Sequence, residues 1–142
     1  MADEAVVSTR LEYIHQYTEE LREMRDCSKV EYLDDVIRQR AVERSLMNVI
    51  QSCIDLASHV RASEELGDAE TAREEIEALE RANIVSTETE QKLGDAVGLR
   101  NRLAHRYDDI DHEIIYDVVH EELQWFDQFQ REIASWFQDT HS

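Results

Sequence analysis

Proline is absent from this 142-residue chain and glycine occurs only three times, as Gly67, Gly94 and Gly98. A sheet protein needs turn residues every ten or so positions, so this scarcity excludes a mixed or all-β fold. Lysine is almost missing as well: Lys29 and Lys92 are the only two. No apolar run approaches the roughly 18 residues that cross a membrane, and no basic-then-apolar leader opens the chain. Both absences point to a cytoplasmic protein. Cys27 and Cys53 stand far apart with no CxxC or Cys/His spacing, so reduced, buried thiols are expected.

What is abundant is negative charge. Acidic residues outnumber basic ones 33 to 15, giving a formal net charge of -18. Together with the low lysine count, this suits a chain adapted to high salt, where the Debye length falls to roughly 3 Å near 1 M and self-repulsion is screened. An ordinary acidic protein with a basic partner is the plainer alternative. Hydrophobic content of 42% and charged content of 34% fit one globular domain spanning residues 1–142.

The apolar periodicity is helical throughout, which makes the expected fold all-α: an antiparallel bundle of about five helices. Thr9-x-x-Glu12 has the form of a capping box and predicts the first helix start, followed by Leu11, Ile14, Leu21 and Met24. Ser28-x-x-Glu31 restarts the chain into a central helix from about Val30 to Val60, with a kink or second restart near Asp34-Asp35. Its stripe runs Leu33, Val36/Ile37, Ala41/Val42, Leu46, Val49/Ile50, Cys53/Ile54, Ala57 and Val60. Gly67-Asp68 marks a loop. Thr71-x-x-Glu74 and Thr87-x-x-Glu90 open two further helices, and Asn83 stops the first of them. Asp111 caps a last helix, Ile114 to about Phe137, whose aromatics are too many for one narrow stripe. A second apolar face there would suit a partner subunit.

Chemistry concentrates in Leu99-Arg100-Asn101-Arg102-Leu103-Ala104-His105-Arg106-Tyr107. At roughly 100° per residue, Leu93, Ala96, Val97, Leu99, Leu103 and Ala104 share a broad face, and Arg100 falls near its middle. A guanidinium cannot shed its charge, so this position demands a partner or a wet interface. Asn101 and His105 share a flank, while Arg102 and Arg106 point elsewhere and can meet phosphates. On spacing alone, Arg100 could simply pair with a core carboxylate such as Asp55. Asp55 and His59, one turn apart, could equally stand behind Arg100 in a site or merely solvate their helix. His112 and His120 lie two turns apart without a third ligand, so no metal site is expected.

Arg100 to Tyr107 has the RNxxxHxY form of the RxxxxHxY motif and resembles HEPN-domain proteins, specifically the HepT-like toxins. The resemblance extends from about Arg40 to Ile133. It includes Cys53-Ile54-Asp55-Leu56-Ala57 in the central helix and Asp109-Ile110-Asp111 with Ile114-Ile115-Tyr116 after the motif. It implies a metal- and cofactor-independent endoribonuclease toxin acting on RNA, paired with a minimal nucleotidyltransferase antitoxin. Arg100, Asn101 and His105 would be catalytic, in a cleft between two copies of a homodimer. Tyr107 would accept adenylate groups from the antitoxin. The alternative is a non-catalytic HEPN module that binds nucleotides or scaffolds a nucleotidyltransferase.

The chemistry can be argued without the family. RNA brings its own nucleophile, the 2′-OH, so cleavage needs proton transfer and phosphate-charge stabilisation rather than a covalent side chain. His105 suits the first task and Arg100 the second.

Overall fold

The computed structural model describes residues 1–105 and 107–141, without the Tyr107 side chain. Among these residues there are seven α-helices rather than about five: α1 (Glu4–Met24), α2 (Lys29–Leu33), α3 (Val36–Ser63), α4 (Ala72–Arg81), α5 (Thr87–His105), α6 (His112–Glu121) and α7 (Gln124–His141). A 3₁₀ turn, Tyr107–Asp109, lies between α5 and α6.

The extra helices come from breaks at both ends of the chain's long apolar runs. Asp34 ends α2 and Asp35 caps α3 by accepting the Arg38 N–H, so the expected kink is a true restart. The Ser28–Glu31 capping box that opens α2 is reciprocal, as its spacing predicts. The restart rotates the buried face. Leu33, Val36 and Ile37, expected in the core stripe, are exposed, whereas Tyr32 and Gln39 are buried. Gln39 offsets its burial by donating to the Tyr32 and Leu33 carbonyls at the end of α2.

The last helix is also two. Glu122 caps α6, and the Trp125 and Phe126 N–H groups turn back to the Glu122 and Leu123 carbonyls. This divides the aromatics between two axes. Phe126 and Phe129 enter the core from α7, while Tyr116 on α6 reaches across to donate to the Cys27 carbonyl. Asp111 caps α6 as expected, accepting the Glu113 N–H.

Two other starts shift. The first helix begins at Glu4, not near Thr9, because the Asp3 carboxylate already accepts the Ala5 and Val6 N–H groups. Ser86 caps α5, its hydroxyl accepting the Thr89 N–H, in place of the expected Thr87 box. Thr71 caps α4 as expected, and Asn83 takes the left-handed conformation (φ 59°) just after α4 stops.

α3 is the central element, packed against α1, α2, α4, α5 and α7. It runs antiparallel to α1: the Asp3 N–H reaches His59 near the end of α3, and the Arg38 guanidinium near its start reaches the Met24 carbonyl. The core is mostly apolar, with Val42, Leu46, Val49, Leu56, Ala57 and Val60 of α3 fully buried. Each buried aliphatic side chain of this size contributes about 1.5–3 kcal/mol relative to exposure. No helix among the described residues is long and apolar enough to cross a membrane.

Candidate active site on the helix carrying the RxxxxH motif

The position of the motif follows from how α5 is held at its first turn. The Glu132 carboxylate on α7 accepts from the Ser86 N–H at 2.6 Å, the Thr89 hydroxyl at 2.6 Å and the Gln128 amide at 2.8 Å. A carboxylate at the positive end of the helix dipole adds to these bonds. One turn on, the Arg73 guanidinium of α4 donates to the Gly94 carbonyl at 2.7 Å. A Cβ at position 94 would stand 2.7 Å from Arg73 Nη1, so a larger residue there would push the guanidinium aside.

From this anchor α5 runs to His105. Leu99 and Leu103 are buried on its inner side. Arg100 is half-buried between them, and its Nε is shielded from solvent without a hydrogen-bond partner among the described residues. Asn101, Arg102 and His105 are exposed. The helical projection puts Arg100 near the middle of the apolar face, and the structure leaves it half-buried rather than fully enclosed there. Arg102 borders a cavity of about 250 Å³ shared with Asp109, Ile110 and Ile114. Arg106 and the Tyr107 side chain lie outside the described residues.

The residues expected behind Arg100 are engaged elsewhere. Asp55 lies 3.5 Å from Arg10 and accepts from the Gln51 amide at 2.9 Å. His59 Nε2 accepts the Asp3 N–H at 3.0 Å. Both serve the α1 side of α3, so Asp55 is also not the carboxylate that Arg100 would need as a structural pair. His120 stacks on Tyr116 at 3.9 Å, whereas His112 faces Glu43, so the two histidines have different surroundings.

Glu43 is the polar residue that periodicity did not single out. Only 5% exposed, it lies 3.2 Å from His112 Nδ1, yet the two are not aligned for a hydrogen bond. Burial raises its carboxyl above the usual range, against the opposing charges of His112 and Arg40. The nearby Tyr32 hydroxyl is also buried without a partner, and burial pushes its acidity down further than the Glu43 charge does. A signal was present in retrospect. Gln39 and Glu43 are one turn apart beside Val42 and Leu46, on a helix too apolar to leave them in water.

An exposed imidazole and a half-buried guanidinium on one helix end could between them move a proton and stabilise an anion. They supply no nucleophile and need none if the substrate carries one.

A family model described as ribonuclease HepT-like matches residues 14–133. The chain belongs to the ribonuclease HepT-like family. It is 31% identical over 131 residues to the tRNA nuclease HepT of Aphanizomenon flos-aquae, covering 92% of this chain and 89% of that protein. To the mRNA nuclease HepT of Shewanella oneidensis it is 29% identical over 99 residues, 70% of this chain and 74% of that one. The fold agrees. The tri-AMPylated Shewanella oneidensis HEPN toxin, solved in complex with its MNT antitoxin, superposes with a TM-score of 0.86 at 24% identity, covering 95% and 99% of the two chains. A toxin–antitoxin crystal structure with AMP-PNP gives 0.87 at 23% identity, covering 92% and 98%. This HepT-like chain thus belongs to a ribonuclease family, on the all-helical fold that these toxin structures share.

Proposed function

We propose that this HepT-like protein cleaves RNA by attack of the 2′-OH on the adjacent phosphate, without a metal. Arg100 and His105 carry the reaction. The observation that supports this most directly is Arg100: a half-buried cation whose Nε has no hydrogen-bond partner among the described residues, five residues before an exposed imidazole on the same helix. A structural arginine in that position would be paired. Arg100 stabilises the charge that builds on the phosphorane, His105 exchanges the proton, and Asn101 orients the imidazole or the phosphate. Arg102 and Arg106 guide the flanking phosphates.

One chain offers one histidine in the motif, whereas transesterification uses an acid and a base. A two-fold homodimer that faces two α5 ends across a cleft supplies both. Arg100 at the margin of an apolar face suits such an interface. The cellular partner in this reading is a minimal nucleotidyltransferase antitoxin that adenylylates Tyr107. Added phosphates beside Arg100 and Arg106 would neutralise them and repel RNA.

The test is cleavage of a mixed RNA pool with analysis of the ends. Wild-type protein should leave 2′,3′-cyclic phosphate or 3′-phosphate ends. His105→Ala should leave the RNA intact while keeping the helical circular dichroism of the wild type. Full cleavage by a folded His105→Ala protein would remove the catalytic assignment. Tyr107→Phe should cleave as well as wild type and resist silencing when the nucleotidyltransferase and ATP are added. Silencing of that variant would move the modification elsewhere.

A further inference from the structure

His112 is the first residue of α6, seven positions after His105. The chain between them carries the 3₁₀ turn Tyr107–Asp109 and the Asp111 cap. Further along, α6 is held by α2 and the segment before it. The Tyr116 hydroxyl donates to the Cys27 carbonyl at 3.1 Å, and Lys29 pairs with Asp117 at 3.1 Å. At the first turn of α6 the polar contact is with α3 instead: His112 Nδ1 stands 3.2 Å from Glu43 Oε1. Both atoms are shielded from solvent, and neither is hydrogen-bonded to another group among the described residues. Arg40 from α3 and the Tyr32 hydroxyl from α2 also face this carboxylate. Glu43 and Met47 line a shallow cavity of about 240 Å³ together with Leu103 of α5. Leu103 lies between Arg100 and His105, so Glu43 is shared by the start of α6 and the end of the motif helix.

A buried ion pair gains little net stability, because desolvation offsets most of the attraction, and apolar side chains of similar size would hold α6 as firmly. What opposite charges at 3.2 Å add is register: sliding either helix separates them where water screens poorly. One proton shared between them serves either way, on the imidazole as an ion pair or on the carboxyl facing Nδ1. We infer that Glu43 and His112 are positioning residues for RNA cleavage: their contact clamps the first turn of α6 to α3 and so fixes the end of α5, where Arg100 and His105 act. This role rests on the ribonuclease reading and adds to it two residues outside the motif.

The test compares His112→Leu, His112→Asn and His112→Gln in steady-state cleavage of a fluorogenic RNA by the full chain, with folding checked by circular dichroism. An asparagine amide nitrogen falls near the Nδ1 position and a glutamine amide nitrogen near Nε2, so asparagine faces Glu43 as the imidazole does. His112→Leu should lower kcat about 10-fold or more and leave KM within about twofold, because misplacement costs turnover rather than binding. His112→Asn should recover most of kcat, and His112→Gln should not. Adding Glu43→Gln to His112→Leu should cost no more than His112→Leu alone, as for residues that act as one unit. Amide hydrogen exchange over residues 108–115 should quicken about 10-fold in His112→Leu and return toward wild type in His112→Asn. Wild-type turnover by His112→Leu would overturn the role. So would His112→Asn as slow as His112→Leu, which would make the imidazole itself a proton carrier. If wild type cleaves and the variants break this order, the clamp falls alone; if wild type cleaves no RNA, the ribonuclease reading falls and takes this role with it.

Discussion

The two ends of α5 treat polar groups in opposite ways. At the first turn, Ser86, Thr89, Gln128 and Glu132 satisfy one another, and the fully buried Thr89 hydroxyl has both a donor and an acceptor. Beyond the first turn, four buried polar atoms make no aligned hydrogen bond among the described residues. Arg100 Nε lies on α5 itself, and Tyr32 Oη, Glu43 Oε1 and His112 Nδ1 lie on α2, α3 and α6. None of these four belongs to the first turn. Folding alone gains nothing from unpaired buried groups, which cost about 1–3 kcal/mol each. The first turn is closed by its own hydrogen bonds, whereas Glu43 and His112 stand 3.2 Å apart and Arg100 Nε and Tyr32 Oη have no hydrogen-bond partner among the described residues.

Substitutions at the two ends should therefore separate activity from stability. The largest effect expected is at Arg100. Arg100→Leu should reduce RNA cleavage by 100-fold or more, the scale of losing one preorganised charge-stabilising group. The same variant should unfold in urea at the wild-type midpoint or above it, because an apolar side chain suits the half-buried position better than an unpaired charge. A marked loss of stability would mean that Arg100 has a structural pairing, and the contrast between the ends would disappear.

Glu132→Ala should do the reverse. It leaves the Ser86 N–H and the buried Thr89 hydroxyl without their acceptor, so about 1–3 kcal/mol of stability should be lost. Thermal denaturation reads this directly. Cleavage below the melting temperature should fall far less than in Arg100→Leu. If the two variants lose activity equally, α5 responds as one rigid unit and its ends are not functionally distinct.

The same division marks what could be read from the sequence. The helical class, the Ser28 and Thr71 caps, the break near Asp34-Asp35 and the placement of Arg100 all follow from local rules, and all appear in the structure. Local rules do not say which element lies opposite. Asp55 and His59 have suitable spacing to back Arg100, yet α3 is touched on several sides, and theirs faces α1. Leu33, Val36 and Ile37 continue the apolar stripe on paper, but the restart at Asp35 turns them outward. Glu43 had the opposite fate. A glutamate on a charged chain reads as surface, and only α2 packed on α3, with the His112 side chain 3.2 Å from its carboxylate, accounts for its burial.

Glu43 also gives the smallest and sharpest test of the contrast. Its carboxyl is raised above the ordinary value of 4.5 in the folded state, chiefly by burial, with His112 and Arg40 acting against that shift. A raised folded-state pKa means that the folded form holds this proton more tightly than the unfolded chain does. The stabilisation is then fully present below the ordinary carboxylate range and is lost as pH rises through the folded-state value. Urea melts from pH 4 upward should show this decline superimposed on the titration of the other carboxylates. Glu43→Gln removes the titration, so the difference in stability between variant and wild type should grow in favour of the variant as pH rises. A pH-independent difference for Glu43→Gln would show that its oxygen is already satisfied within the fold, and the contrast with the first turn would then not extend to Glu43.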